Sequence, residues 1–243
     1  MDKPNLALLW VYLSASPLLG LTMTLVAYSV SYRLYKVCNS NPLLNPVVTA
    51  VAILIVFLAV TDIPYKEYFQ GAQFVHFLLG PATVALAIPL YQQFDRIRKL
   101  WLPVLLAIIG GGMIGALSSL GIARLLGASL ESQLSLAPKS VTAPVAMGIS
   151  EKIGGLPSLT AVLVVTTGIL GAVIGTKLLD WVRIRDDAVK GIAMGVTAHG
   201  IGTARAFQVN KEMGAFSGLA MALSALATAL LLPWLIDVLG LYR

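Results

Sequence analysis

Residues Ser135–Ser150 read SLAPKSVTAPVAMGIS, a stretch of mixed character that decides how the whole chain is arranged. A bilayer crossing takes roughly 20 apolar residues, and this segment is shorter, carries Lys139, Ser140 and Thr142, and contains Pro138 and Pro144. Proline has no amide proton and disturbs the turn before it, so an uninterrupted helix is not expected here. On either side lie clean apolar segments, Leu102–Ala123 before and Leu156–Trp181 after. A broken piece between two full spans is the mark of a re-entrant segment, and the rest of the chain tests that idea.

The 243 residues are 58% hydrophobic and 12% charged, with a mean hydropathy of +0.86; a soluble domain carries about twice that charge. Uncharged runs at Pro4–Tyr32, Val37–Thr61, Tyr68–Phe94, Leu100–Ala123, Ile153–Thr176 and Met213–Ile236 are each long enough to cross a bilayer. A soluble globular protein, a disordered chain, a disulfide scaffold and a cytosolic nucleic-acid binder are excluded, since the net charge of +6 resides in loops. The predicted class is an all-α polytopic membrane protein with about six to eight spans, forming one integral membrane domain over residues 1–243. Ser14, Ala15 and Ser16 faintly resemble a cleavage site, but Pro17 follows and the apolar run continues, so the first span, Asn5–Tyr32, is read as retained. Cys38 is the single cysteine and says nothing of compartment.

Basic flanks orient the spans. Arg33 and Lys36, DRIRK at Asp95–Lys99 and RIRDD at Arg183–Asp187 all read as cytoplasmic, while the polar stretch DIPYKEYFQG at Asp62–Gly71 falls on the opposite side. DRIRK and RIRDD end on the same side only if the segment around Pro138 enters and leaves by one face. Phe74–Phe94, with Gly80, Pro81 and Pro89, and Gly191–Ala206, GIAMGVTAHGIGTARA, are further interrupted segments; Met213–Leu239 is the last span.

These interruptions repeat. GPATVALAIPLY at Gly80–Tyr91 is similar to APKSVTAPVAM at Ala137–Met147, and LPVLLAIIGGGMIGA from Leu102 to LPSLTAVLVVTTGILGA from Leu156; GVTAHGIGTARA is a third, decayed copy. Repeated units of broken helix plus helix are a transporter signature.

Irregular backbone at membrane depth is tolerated only where it is buried in protein or lines a wet cavity, so the interruptions mark the candidate pathway. Gly80, Pro81, Pro89, Pro138, Pro144, Gly200 and Gly202 are the helix-breaking positions. Around them stand Thr83, then Lys139, Ser140 and Thr142, then Thr197, His199, Thr203 and Arg205. Hydroxyl donors, exposed helix amides and two cations, with no acid in those cores, suit an anion. Burying Lys139 costs about 2.5–3.5 kcal/mol on insertion scales, so it either snorkels to headgroups or meets a counter-ion such as a substrate carboxylate. Arg205 is either a flank of its segment or a carboxylate clamp. His199 is either a hydrogen-bonded core residue or a proton-coupling group. No metal-ligand spacing is present, and Ser140 beside Lys139 makes no serine/lysine pair because adjacent residues diverge on a helix. No catalytic residues, metal or cofactor are expected.

The blocks NPLLNPVV at Asn41–Val48, FLLGPATVALAIPLY at Phe77–Tyr91, LAPKSVTAPVAMGISEKIGGLPSLTAV at Leu136–Val162 and AMGVTAHGIGTARA at Ala193–Ala206 resemble the LrgB/CidB family, from about Val26 to the carboxyl end. The resemblance implies a multi-pass protein of the inner (cytoplasmic) membrane with a small LrgA/CidA-like membrane partner. It implies either a carrier of small monocarboxylates, of the pyruvate, glycolate or glycerate class, or an antiholin-like regulator of murein hydrolase export and autolysis. The expected partners are the small carboxylate, the lipid bilayer and that membrane protein, with a homodimer as a possible assembly and no nucleic acid.

Overall fold

A computed structural model describes residues 17–41, 44–85 and 87–241. Among these residues the chain is helical throughout, with no strand, and falls into two compact units, Met1–Ala85 and Leu86–Arg243. Four helical stretches are long and apolar enough to cross a membrane: Tyr65–Gln92, Phe94–Leu125, Pro157–Trp181 and Lys211–Val238; Pro46–Thr61 is a shorter apolar helix.

The first unit holds α1 (Pro17–Val37), α2 (Pro46–Thr61), α3 (Tyr65–Phe77) and α4 (Leu79–Ala85). The expected first span from Asn5 begins outside the described residues. Helix α2 starts where Asn45 accepts a hydrogen bond from the Val47 amide at 2.9 Å and Pro46 occupies the first turn, the position at which a missing amide proton costs nothing. It ends at Asp62, whose left-handed conformation stops the helix. The polar DIPYKEYFQG stretch, read from sequence as a connection, becomes helical from Tyr65. Its Tyr68 pairs with Thr24 of α1 through their hydroxyls at 2.7 Å, and Gly20 lets the two backbones meet at the Tyr68 carbonyl.

The second unit holds α5 (Ala87–Gln92), α6 (Phe94–Leu125), α7 (Leu130–Leu136), α8 (Ala143–Ile153), α9 (Pro157–Trp181), α10 (Asp187–Val209) and α11 (Lys211–Val238). Pro103 and Pro233 sit inside α6 and α11 without ending them. Pro144 and Pro157 open helices rather than break them, because in the first turn their lack of an amide proton leaves no bond unmade. Between α7 and α8 the chain leaves the helix over residues 137–142 and returns, so that Gly154 and Gly155 at the end of α8 lie against Leu134 and Ser135 at the end of α7. This re-entrant piece is knitted at its mouth. Thr160 donates to the Ser135 carbonyl at 3.0 Å and meets Ser150 at 2.7 Å, and Ser135 accepts from the Leu156 amide at 2.7 Å.

Helix α10 is two limbs. His199 has φ 41° and ψ −133°, which no helix contains. A methyl group placed on Gly202 would lie 2.8 Å from the Met194 carbonyl oxygen, eight residues upstream, whereas eight residues of continuous helix rise about 12 Å. The chain therefore reverses at His199. Limb 187–198 runs alongside α11, with Gly191 against Met213 and Gly195 against Ser217, and limb 200–209 returns beside both, with Thr203 on Ser217 at 2.9 Å. Asn210 turns the chain again by accepting the Met213 amide at 2.8 Å.

The two charged flanks meet. Arg96 of DRIRK pairs with Asp186 of RIRDD at 2.7 Å and also with Glu212, while Lys190 pairs with Asp180 at 2.5 Å. One end of the second unit thus gathers the starts of α6, α10 and α11 and the end of α9. The α7–α8 piece enters from the opposite end and the α10 hairpin from this one. In a Cys38→Ser background, Arg98→Cys and Arg185→Cys should label with an impermeant maleimide from one membrane face, and Leu126→Cys and Glu131→Cys from the other. Labelling of Arg98→Cys and Arg185→Cys from opposite faces would remove this topology.

Candidate functional site

Depth along α9 relates the two re-entrant pieces. Helix α8 runs antiparallel to α9 and places Ser150 beside Thr160. Seven residues, about 10 Å, back toward its start brings Ala143 level with about residue 167 of α9. The α10 hairpin reaches the same height. Ala198 packs where a Gly171 side chain would stand, and the His199 ring fills the space left by Gly168, where a methyl group would lie 2.7 Å from Cε1. Both tips therefore stop near the middle of the 25-residue α9.

Each tip is held by hydrogen bonds. In the first, the Lys139 amide donates to the Leu136 carbonyl and the Val141 amide to the Pro138 carbonyl, both at 3.2 Å. In the second, Thr203 donates to the His199 carbonyl at 2.8 Å, and His199 Nε2 lies 3.0 Å from the Val164 carbonyl oxygen. Since a carbonyl only accepts, Nε2 carries the proton and Nδ1 is left as the acceptor nitrogen. The positive φ at a histidine is a strained state of the kind that persists only when surroundings impose it. Here Gly168, Gly202 and the Val164 carbonyl impose it.

Helix α6 joins the tips from the other side. Lys139 Nζ donates to the Gly115 carbonyl at 3.4 Å, and Ser140 Oγ lies 3.9 Å from where a Gly115 side chain would begin. One turn earlier, Gly111 faces Val196 of the hairpin at 3.5 Å, and Gly112 faces the hydroxyls of Ser224 and Thr228 on α11, each at 4.0 Å. The glycine run GGGMIGA thus forms a bare strip of α6 on which both tips and two α11 hydroxyls are set.

Lys139 and Ser140 are half-buried on that strip, and Thr142, also half-buried, caps α8 without using its side chain. His199, Thr203 and Arg205 are buried in the hairpin. Arg205 lies six residues, about 9 Å, down the returning limb from the tip and donates to Gln208 Oε1 at 3.3 Å. Thr197 is exposed, and its hydroxyl is turned back onto the Ala193 carbonyl at 2.7 Å. Gly200 and Gly202 are helical, and the reversal falls on His199. Gly80 and Pro81 belong to α4 of the first unit and Pro89 to α5 of the second, while the side chain of Thr83 lies outside the described residues. Ser217, Ser224 and Thr228 were not singled out from sequence, because hydroxyls inside a long apolar span give no local signal; the glycines opposite them are the only cue. Among the described residues no three His, Cys, Asp or Glu side chains gather to hold a metal.

The chemistry on offer at this depth is hydroxyls on both tips and one ammonium group on the first, beside two helix starts, α8 and limb 200–209, whose first amides favour negative charge. His199→Gly should be more stable than His199→Ala by about 1–3 kcal/mol, since both lose the bond to Val164 but only glycine relaxes the backbone. Thermal unfolding of the two variants in detergent measures the difference, and equal melting temperatures would show that the position is unstrained.

Comparison with known proteins bears on the chain as a whole. The model of the LrgB-like family matches residues 24–238. The chain is 35% identical over 224 residues to a Bacillus subtilis (strain 168) protein called uncharacterized protein YwbG, covering 90% of this chain and 97% of that one. It is 30% identical over 225 residues to the antiholin-like protein LrgB of Bacillus cereus (strain B4264), covering 93% and 98%, and equally to that of Bacillus anthracis (strain CDC 684 / NRRL 3495). No solved structure matches.

Proposed function

This chain belongs to the LrgB-like family, and from that membership we propose that it acts as an antiholin-like protein of the inner (cytoplasmic) membrane. In this reading it restrains murein hydrolase export and autolysis together with a small LrgA/CidA-like membrane protein. The observation that carries the reading is that relatives named antiholin-like protein LrgB run along 93% of this chain and 98% of their own length. No catalytic step and no cofactor enter it.

The geometry favours a second reading, a secondary carrier for small monocarboxylates of the pyruvate, glycolate or glycerate class. Two re-entrant pieces entering from opposite ends and stopping at one depth suit alternating access to a site near the midplane. A regulator acting by assembly alone needs neither. In the carrier, Lys139, Ser140 and Thr142 on one tip and His199 and Thr203 on the other surround the carboxylate. Arg205 stabilises the hairpin limb or takes the anion as it leaves, and His199 Nδ1 is the group available to accept a coupled proton.

One experiment separates the readings. The chain and its Lys139→Ala/Arg205→Ala variant are expressed in a host lacking its own LrgB-type gene, with matched membrane levels, and both detergent-induced autolysis and uptake of labelled pyruvate and glycolate are followed. A regulator restores slow autolysis with or without the two cations and moves neither acid. A carrier takes up at least one acid, and the variant loses about tenfold or more of that uptake, as removal of a charge-assisted contact worth about 1.5–3 kcal/mol requires.

A further inference from the structure

Between α6 and the first limb of α10 runs a groove of about 490 Å³. Pro103, Ala107 and Gly111 form one wall and Val189, Ile192 and Val196 the other. Its two polar side chains are already engaged, Asp186 with Arg96 and Thr197 with the Ala193 carbonyl. Nothing along the walls competes with a hydrocarbon occupant.

Length selects that occupant. From Ala188 to Thr197 on α10 and from Leu100 to Gly111 on α6 the groove is about 14 and 16 Å long at 1.5 Å per residue. Half of a hydrocarbon core of about 30 Å is about 15 Å. One acyl chain spans one leaflet, whereas a transmembrane helix from a second copy or a small partner protein needs a groove continuing through both.

Charge selects the headgroup. The groove opens at Leu100 and Asp186, the end that carries the two basic flanks. There Arg98, Lys99, Arg183 and Arg185 are exposed and enter no ion pair among the described residues. Of the acids at this end, Asp186 and Glu212 are held by Arg96 and Asp180 by Lys190, which leaves Asp95 and Asp187 against these four cations and Lys211. Clusters of this sign beside a membrane-spanning helix attract anionic headgroups.

We propose that this groove is a binding site for an anionic phospholipid of the leaflet at the Arg96 end. One acyl chain lies between α6 and α10, and the phosphate rests on Arg98, Lys99, Arg183 and Arg185. The lipid would fill the flank of the hairpin's first limb, independently of whether the protein regulates autolysis or carries a carboxylate.

Native mass spectrometry of the purified full chain, equilibrated with equal amounts of phosphatidylglycerol and phosphatidylethanolamine, tests this. The unaltered chain should retain phosphatidylglycerol over phosphatidylethanolamine by about fivefold or more, as four headgroup-facing cations favour. The Arg98→Gln/Lys99→Gln/Arg183→Gln/Arg185→Gln variant should retain the two equally. Ala107→Phe and Val189→Trp, each at an exposed groove position, should lose the retained lipid of either kind while circular dichroism shows unchanged helicity. Equal retention of both lipids by the unaltered chain overturns the proposal. So does undiminished retention by whichever filled variant keeps its helicity, or a protein mass in the groove in place of a lipid.

Discussion

A peptide group that leaves a helix inside hydrocarbon has no water to turn to, and each one left unpaired costs several kcal/mol. The second unit is arranged around that constraint, because it breaks its helices twice at mid-depth and must close both wounds with protein. Turn bonds from the Lys139 and Val141 amides close the first, and the Ser135, Ser150 and Thr160 hydroxyls tie its mouth. At the second, Thr203 donates to the His199 carbonyl and the His199 ring is tied to the Val164 carbonyl of α9. Glycine makes this possible by subtraction. Gly168 and Gly171 leave room on α9 for the His199 ring and Ala198, while Gly191 and Gly195 let the hairpin's backbone meet that of α11.

Much of this was legible in the residues. Proline and charge marked Ser135–Ser150 as broken, within which the structure leaves the helix over residues 137–142, and the requirement that DRIRK and RIRDD share a side demanded a re-entrant segment; Arg96 joined to Asp186 is that requirement in atoms. The family blocks around PKSVT and AHGIGTARA lie at the two tips. Other features were not legible, for physical reasons. That GIAMGVTAHGIGTARA doubles back, rather than kinks, depends on the contact between Gly202 and Met194, and periodicity is blind to contacts across a turn. That the reversal falls on a histidine rather than on a neighbouring glycine runs against backbone preference, and only tertiary packing decides it. The helix beginning at Tyr65 was obscured by its charged and aromatic residues, which suit an interface as well as a loop.

The two functional readings differ in what they ask of this architecture. Restraint of autolysis asks only for a stable body that a partner can recognise. Carriage asks for a site open alternately to each side, and in that reading the two tips of opposite entry set against α6 are where it would form.

The clasp at the charged end has a consequence for how the molecule is made. Arg96 pairs with residues 90 and 116 positions further along the chain. At a synthesis rate of about 5–20 residues per second, Arg96 waits roughly 5 to 20 s for its carboxylates. During that time α6 is already in the bilayer and its guanidinium has only headgroups and water for company. The clasp therefore closes only after Asp186 and Glu212 have been made, and Arg96 is the early post to which late-made sequence is tied.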